Sequence, residues 1–231
     1  MVAGTSARAA HAQGRLLARP KENAVDGQPG SFEIGLERER DGILYVPKSY
    51  DPDRPAPFVL ALHGAGGSGR NGLQPLLPLA DRFGFILLSP DARLSTWDII
   101  HDEYGPDVAY IDRALEKAFS RFSVDARHVV VEGFSDGASY ALSLGIANGD
   151  LFSHVIAFSP GLMAPAVQIG KPRIFISHGA NDPTLHIDRT SRTIVPRLER
   201  AGYNVTYEEF AGGHAVPRQI AEQAVDWFMT S

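Results

Sequence analysis

From residue 58 onward, short and nearly continuous apolar runs alternate with segments of helical periodicity. Runs of this kind are typical of parallel strands that are buried on both faces of a sheet. Between two of the runs, apolar residues recur every three or four positions from Ile111 to Phe122, which places them on one face of a helix. Strands that alternate with helices predict an α/β fold with a mostly parallel sheet. The runs are Phe58–Leu62, Phe85–Leu88, Val129–Val131, Val155–Phe158 and Arg173–Ile176.

Three further segments complete a set of eight candidate strands. Phe32–Arg38 alternates apolar and polar residues, and Asp41-Gly42 then predicts a tight hairpin turn into Ile43–Val46. We expect these two strands to form an antiparallel pair. Tyr203–Glu209 also alternates and is expected to lie at the edge of the sheet.

The second half of the chain carries three more helical patterns. Apolar residues recur at helical spacing over residues 138–146 and again over residues 220–228. Residues 188–201 are also expected to be helical, with Asp188 as the N-cap. Pro196 lies inside this last segment and indicates a later start for the helix.

Residues 1–30 show no apolar period, and we expect them to form a loosely ordered arm before a single domain over residues 31–231. The chain has no cysteine, which excludes disulfides, Cys-ligated metal centres and a thiol nucleophile. The net charge is −5 and the basic residues are scattered, which argues against a nucleic-acid-binding surface. No apolar run approaches the roughly 18 residues of a membrane span. The first residues lack the apolar core of a secretory signal, so a cytoplasmic location is expected.

The segment Gly133-Phe134-Ser135-Asp136-Gly137 matches the G-x-S-x-G pattern of a nucleophile elbow. It follows a predicted strand and precedes a predicted helix, which is the context that such an elbow needs. The two glycines let the backbone pass closely on either side of a sharp turn that lifts the serine above the end of the strand. An ordinary turn with a capping serine also fits the pattern, so the context, more than the match, favours Ser135 as a nucleophile.

A serine hydroxyl becomes a good nucleophile only with a base and an orienting acid beside it. In folds with this elbow the acid follows the serine along the chain and the base comes last. Asp182 follows the run at 173–176 within a turn-forming Asn-Asp-Pro, and His214 lies in a Gly-rich loop after the last predicted strand. Because open α/β sheets place their sites at the carboxyl ends of strands, we expect both side chains to meet Ser135.

Other carboxylates and imidazoles compete for these two roles. Asp188 fits a helix N-cap better than a catalytic acid. His186 lies in the same loop as Asp182 and is poorly placed to reach across from a neighbouring strand, while His178 is expected to support its loop. The remaining histidines are expected at surface or packing positions; they are His11, His101, His128 and His154.

The Gly-rich loop at residues 62–67 allows two functional interpretations. Attack on an ester creates an oxyanion that two backbone N–H groups would stabilise, and the candidates are Ala65 in this loop and Asp136 after the serine. Residues 64–69 also match the dinucleotide pattern G-x-G-x-x-G, with Asp91 as a possible ribose ligand. Two strands precede the loop, however, and a dinucleotide site would leave the serine, aspartate and histidine without a role.

With these residues in hand, the chain resembles the α/β-hydrolase superfamily, and most of all the bacterial carboxylesterase/phospholipase group near dienelactone hydrolases and polyhydroxybutyrate depolymerase-type esterases. The resemblance covers residues 32–231 and implies an eight-stranded sheet whose first pair is antiparallel to part of the rest. Dienelactone hydrolases carry cysteine where Ser135 stands, and close carboxylesterases often carry glutamine where Asp136 stands. The segments that carry the resemblance are Leu62–Gly67, Gly133–Gly137, His178–Asp182 and Gly213-His214.

The resemblance and the residues together predict a serine carboxylesterase that hydrolyses small soluble esters through an acyl-enzyme, without a metal or cofactor. A thioesterase or a feruloyl-type esterase is the alternative within the class. A dinucleotide-binding protein and a non-catalytic binding module with the hydrolase fold are the alternatives from other classes. The expected partner is a small ester, with no nucleic acid or membrane, and the chain is expected to be a monomer or a homodimer.

Two segments bear on access to the predicted site. Ser159–Pro172 is too short for a lid domain, so we expect an open site without interfacial activation. Leu94–Tyr110 contains Trp97 and Tyr104. This segment is expected either to wall the acyl pocket or to pack in the interior.

Overall fold

A computed structural model describes residues 2–21, 27–101 and 104–230 of the chain. Its strands are β1 (Gly30–Glu33), β2 (Gly42–Val46), β3 (Ala56–Leu62), β4 (Ile86–Pro90), β5 (Val124–Phe134), β6 (His154–Phe158), β7 (Arg173–Gly179) and β8 (Val205–Phe210). They form one eight-stranded sheet in the order β1-β2-β4-β3-β5-β6-β7-β8. Strand β2 pairs antiparallel with both of its neighbours, β1 and β4. The strands from β4 onward in this order, including β3, pair parallel with one another. The predicted mostly parallel sheet is confirmed.

Helices cover both faces of the sheet, which is why the central strands are apolar on both sides. They are α1 (Val2–His11), α2 (Gly69–Leu73), α3 (Leu77–Phe83), α4 (Pro106–Arg121), α5 (Asp136–Ala147), α6 (Ser191–Arg200) and α7 (Arg218–Met229). One apolar cluster lies between the sheet and helices α4, α5 and α6, and a second lies under α2, α3 and α7. In β5, for example, Val129 and Val131 belong to the first cluster and Val130 to the second. The helices α2 and α3 were not predicted, because they are too short to show a period.

Two local predictions are wrong. Asp41-Gly42 does not make a tight hairpin turn, because residues 34–41 form a wider connection between β1 and β2. The Asp41 carboxylate organises that connection by accepting hydrogen bonds from the backbone N–H groups of Leu36 at 2.9 Å and Glu37 at 3.0 Å. Asp188 is not the N-cap of α6, since it lies in a short 3₁₀ helix and Thr190 occupies the cap position.

The N-terminal arm contains a helix and a segment that packs on the domain. Its first residues form α1, and the segment after α1 packs on the carboxyl end of α5. Leu16 is fully buried, and its backbone N–H donates to Asn148 Oδ1 at 2.8 Å. The Arg15 guanidinium forms a two-point ion pair with Asp150 at 2.7 and 2.8 Å. A buried leucine and these polar contacts hold residues 15 and 16 without an apolar period. Residues 22–26 of the arm lie outside the described residues, and a loosely ordered arm stays a prediction. The single domain over residues 31–231 stays a prediction.

The connection from β6 to β7 is a loop. Residues 159–172 join β6 to β7 with no helix or strand of their own, which agrees with the absence of a lid domain. Within the described ranges, no helix has both the length and the apolar character that crossing a membrane would need.

Glu132 is a buried charge-bearing residue in the middle of the sheet. It lies on β5 between Ala61 of β3 and Ile156 of β6, and it is 0% exposed. Neither carboxyl oxygen has a hydrogen-bond partner among the residues that the structure describes. Burial raises the pKa of Glu132 well above its ordinary value, because a carboxylate loses its hydration there.

We expect Glu132→Gln to stabilise the protein by an amount that grows with pH. The unfolded chain ionises at the ordinary carboxyl pKa, whereas the folded chain holds the proton to higher pH, so wild-type stability falls as pH rises above the ordinary value. Removing the titration removes that fall, so the unfolding free energy of Glu132→Gln relative to wild type should rise with pH. Urea unfolding of the two proteins at pH 5 and pH 8 measures the effect. If the difference in unfolding free energy between the two proteins were the same at pH 5 and pH 8, the prediction would be contradicted.

Candidate active site

Ser135 stands on a strained turn between the central strand β5 and helix α5. Its backbone angles are φ 57° and ψ −120°, a region that side-chain-bearing residues rarely adopt. A hydrogen bond from the Ser135 N–H to the Phe158 carbonyl, 2.9 Å long, ties the turn to the end of β6. The turn therefore presents the serine at the carboxyl end of the sheet, next to the N-terminus of α5.

The glycines of the pattern are required by close backbone contacts. A Cβ atom at Gly133 would lie 2.2 Å from the carbonyl oxygen of Gly137. A Cβ atom at Gly137 would lie 2.1 Å from the carbonyl oxygen of Leu62 on β3. Any side chain at either position would force the turn apart, so these contacts explain the sequence pattern around Ser135.

The structure brings together the three side chains that the sequence singled out. Ser135 Oγ lies 2.9 Å from His214 Nε2, and His214 Nδ1 lies 2.6 Å from Asp182 Oδ2. Asp182 is in the loop after β7, and His214 is in the loop after β8. Parallel strands end at one edge of the sheet, which is how residues from distant parts of the chain meet there.

The Asp182 carboxylate is fully surrounded by donors. Its side chain is 0% exposed, and its Oδ1 atom accepts hydrogen bonds from the backbone N–H groups of Thr184 at 2.8 Å and Leu185 at 2.9 Å. Burial by itself raises the pKa of Asp182, but the bonds from Leu185, His214 and Thr184 outweigh it and hold the pKa below its ordinary value. The group is therefore a buried carboxylate at neutral pH, and it faces the Nδ1 side of His214.

The loop after β3 runs past Ser135. A Cβ atom at Gly64 would lie 3.3 Å from Ser135 Cβ, so the loop backbone at Gly64 lies close to the serine. The next residue, Ala65, is exposed. The N–H of Gly66 donates to the Ser95 carbonyl at 2.6 Å, which holds the loop in place. Asp136 begins α5, and the N–H groups of a first helical turn have no partner within the helix.

Buried aromatic groups support this loop from below. His63 donates from Nδ1 to the Gly64 carbonyl at 2.7 Å and accepts at Nε2 from the Ala92 N–H at 3.0 Å. The Trp97 indole N–H donates to the His63 carbonyl at 2.8 Å, and its ring stacks on Tyr140 at 5.1 Å between centroids. Trp97 is 0% exposed, so it packs in the interior and does not wall a pocket.

The dinucleotide interpretation of the same loop finds no support. Asp91, the candidate ribose ligand, accepts a hydrogen bond of 2.6 Å from the backbone N–H of Gly69. The helix that follows the loop, α2, is one turn and a half at most, because it ends at Leu73. The Asp91 carboxylate is thus already hydrogen-bonded to the backbone at the end of the loop.

A cleft of about 490 Å³ opens between the Gly-rich loop and the loop that carries His214. Phe134 lines it, and the Phe134 ring lies 4.7 Å from the His214 ring between centroids. Apart from His214, the lining has no ionisable side chain. Its other lining residues include Ala65, Gly67, Asn71, Gln74, Pro75 and Val216.

The competing candidates lie elsewhere. His186 is exposed and 3.7 Å from Asp188, which also pairs with Arg192 at 2.7 Å on the surface. His11 contacts Asp112 and His128 contacts Asp125, both at 2.8 Å. Burial lowers the pKa of His154 to about 4.

One contact at the site was not anticipated from the sequence. The hydroxyl of Thr96 donates to Asp136 Oδ2 at 2.6 Å, so the carboxylate after the serine is held toward the β4 side of the site. No sequence pattern connects residues so far apart, and only the folded chain reveals the pair.

Comparison with known proteins gives a consistent set of relatives. The family model "Esterase" matches residues 114–216. The chain is 30% identical to feruloyl esterase C of Emericella nidulans over 157 residues, which is 64% of this chain and 57% of that protein. It is 28% identical to feruloyl esterase B of Talaromyces funiculosus over 147 residues, covering 59% of this chain and 38% of that protein. The matched region is thus little more than half of the first relative's length.

Solved esterase structures share the fold. The crystal structure of esterase PE8 superposes with a TM-score of 0.67 at 21% identity, covering 82% of this chain and 97% of PE8. A propionate-bound esterase from Thermogutta terrifontis gives a TM-score of 0.67 at 15% identity, covering 87% of this chain and 94% of that one. At these identities the likeness concerns the fold.

Proposed function

We propose that this chain is a serine carboxylesterase of the α/β-hydrolase superfamily that acts on small soluble esters. The observation that carries the proposal is the hydrogen-bonded series from Ser135 through His214 to Asp182 on a strained strand-to-helix turn. That series supplies the nucleophile, base and orienting acid that acyl transfer from an ester needs. The esterase family match and the feruloyl esterase relatives support the same reaction class.

In this proposal Ser135 Oγ attacks the ester carbonyl carbon while its proton passes to His214 Nε2. Asp182 accepts the Nδ1–H of His214, which keeps Nε2 free to take that proton and stabilises the imidazolium that results. His214 then gives the proton to the leaving alkoxide, and the carbon–oxygen bond to the alcohol breaks. Water attacks the acyl-enzyme by the same route and releases the acid and free Ser135.

The negative charge on the carbonyl oxygen needs donors that are already in place. We assign this role to the backbone N–H groups of Ala65, which follows Gly64 in the loop close to Ser135, and of Asp136, which follows the serine. The Asp136 N–H belongs to the first turn of α5, where the helix dipole favours negative charge. The Asp136 side chain is held by Thr96, and this supports a role for its backbone rather than its carboxylate.

A feruloyl-type esterase is the second candidate, and the named relatives favour it. Both are feruloyl esterases by name, although this chain matches only part of their length. The cleft that Phe134 and His214 line measures about 490 Å³, and its lining residues have apolar and amide groups with no ionisable side chain other than His214. That volume and lining suit a neutral ester with an aromatic or hydroxylated part.

Hydrolysis of p-nitrophenyl acetate, butyrate and octanoate, alongside methyl ferulate, tests both candidates. The carboxylesterase proposal expects turnover of the short p-nitrophenyl esters with kcat in the ordinary range of about 1–10³ per second. Methyl ferulate cleavage at comparable kcat/KM would favour the feruloyl-type enzyme. An enzyme that cleaves none of the four, and that a fluorophosphonate fails to label, would overturn the esterase proposal.

Location and assembly are proposed separately from the reaction. We propose a cytoplasmic protein that works as a monomer or a homodimer on a small-molecule ester. Cell fractionation and light scattering of the purified chain test these points, and a secreted or higher-order species would contradict them.

A further inference from the structure

His178 lies behind the proposed acid, and its ring makes three polar contacts. It sits on β7 with its side chain 0% exposed. Its Nε2 atom lies 2.8 Å from the Leu185 carbonyl oxygen and 3.2 Å from Asp182 Oδ2. Its Nδ1 atom lies 2.7 Å from Ser191 Oγ. Asp182 Oδ2 is also the oxygen that receives His214 Nδ1 at 2.6 Å, so two imidazoles approach one carboxylate oxygen.

These contacts fix the tautomer of the His178 ring. Nε2 faces two oxygens that cannot donate, so it must carry the ring proton. Nδ1 then has a free lone pair and accepts the hydroxyl proton of Ser191, which is itself fully buried. Burial lowers the pKa of His178, so the ring is neutral and offers Asp182 the positive end of an N–H dipole rather than a full charge.

We propose that His178 is a positioning residue that holds the Asp182 carboxylate toward His214 and limits its basicity, with Ser191 fixing the tautomer that does so. The inference rests on the proposed esterase function. It concerns the carboxylate's orientation, and His178 itself does not touch the substrate or the reacting atoms.

The contacts of Leu185 link the two residues. Its backbone N–H donates to Asp182 Oδ1 at 2.9 Å, while its carbonyl accepts from His178 Nε2 at 2.8 Å. The imidazole therefore anchors the turn that carries the carboxylate, as well as facing the carboxylate directly. Without that ring, the Asp182 side chain has more freedom to rotate, and its Oδ2 atom has one N–H group fewer beside it.

The charged surroundings of the ring leave this role intact. Within the described part of the chain, the titratable groups that act on it are Asp182, His214 and, from β8, Glu209. Glu209 pairs with the Arg192 guanidinium at 2.9 and 2.6 Å, so its charge is largely compensated. Asp182 is thus the anion that the His178 N–H dipole affects most.

Three variants and one control separate positioning from simple packing. His178→Phe keeps a ring but removes the polar contacts of both ring nitrogens. His178→Gln places an amide N–H where the Nε2–H of the histidine can reach Asp182. Ser191→Ala leaves the ring in place and removes the hydroxyl that fixes its tautomer. Ser177→Ala is the matched control, because Ser177 is a buried neighbour on β7 whose hydroxyl has no hydrogen-bond partner among the described residues.

The kcat/KM of p-nitrophenyl butyrate is measured across pH for each protein. We expect the plateau kcat/KM of His178→Phe to be about 10–100-fold below that of wild type, because a displaced Asp182 no longer holds His214 in its working orientation. Its acid limb should move away from that of wild type, because the position and basicity of Asp182 together set how strongly His214 holds its proton. Ser191→Ala should show a smaller change in the same direction, and His178→Gln and Ser177→Ala should stay near wild type.

Two results would overturn the inference. One is a soluble His178→Phe or Ser191→Ala protein with an unchanged pH profile and kcat. The other is a loss in His178→Gln as large as in His178→Phe, which would indicate a packing role. If the wild type hydrolyses no ester, the esterase proposal fails instead. The strongly deshielded proton NMR signal of the His214 Nδ1–H then decides the inference: it should weaken in His178→Phe and Ser191→Ala and persist in Ser177→Ala.

Discussion

Replacing Ser135 with alanine is expected to lower kcat for p-nitrophenyl butyrate by about 10⁴-fold or more while leaving the fold intact. The variant keeps the cleft and the backbone donors but has no oxygen to form an acyl-enzyme. Alanine is smaller than serine by one oxygen atom, so it adds no clash in the strained turn at φ 57°. Initial rates and far-UV circular dichroism, measured on the same preparation, check both parts of the expectation.

Covalent labelling makes this result specific to the serine. A fluorophosphonate should modify the wild type at Ser135 and leave Ser135→Ala unmodified, with the mass of the adduct found on the peptide that contains residues 133–137. A folded Ser135→Ala protein with near wild-type turnover would show that another group is the nucleophile. The chain would then have to be tested as a hydrolase of a different mechanism.

Asp182→Asn should have the second largest effect, a loss of about 10⁴-fold in kcat. An asparagine at this position can turn an amide N–H toward His214 Nδ1, which then must accept rather than donate. The proton of the ring moves to Nε2, and that atom can no longer take the proton of Ser135. Asparagine and aspartate have the same size, so the distance of 2.6 Å between His214 Nδ1 and the side chain of residue 182 should change little. The loss of kcat then comes from the change of tautomer of His214.

Asp188→Asn provides the matched control, because Asp188 was the rival acid in the sequence. Its carboxylate lies on the surface and pairs with Arg192, a contact worth about 0–1 kcal/mol in stability. We expect kcat within about twofold of wild type for this variant. If Asp188→Asn were the damaged enzyme and Asp182→Asn the active one, the assignment of the acid would be reversed.

The turn around Ser135 could be predicted from the sequence because its pattern lies within five consecutive residues. A serine between two glycines, with a strand before it and a helix after it, leaves few conformations for the turn. The acid and base could be ordered along the chain because parallel strands end at one edge of the sheet. Ala65 and Asp136 stay predicted donors for the oxyanion.

Other features depend on contacts between distant parts of the chain. The arm is held at residues 15 and 16 by the buried Leu16 and by Arg15 reaching Asp150, and neither contact leaves a periodic trace in the sequence. Trp97 packs under the Gly-rich loop because of its bond to His63, although its place in the sequence fitted a pocket wall equally well. His178 could be predicted only to support its loop, because its approach to Asp182 depends on how the turn at 182–185 folds back.

The sheet tethers the proposed catalytic groups unequally. Ser135 follows β5, an inner strand bonded to β3 and β6, whereas His214 follows β8, the outermost strand, which is only half-buried. Sub-global openings of a native protein begin where hydrogen bonding and burial are least, so β8 should exchange its amide hydrogens before β5 does. Each such opening would detach the base from an otherwise intact elbow. On warming, we therefore expect the proposed activity to be lost through fraying at this margin of the sheet before the core melts.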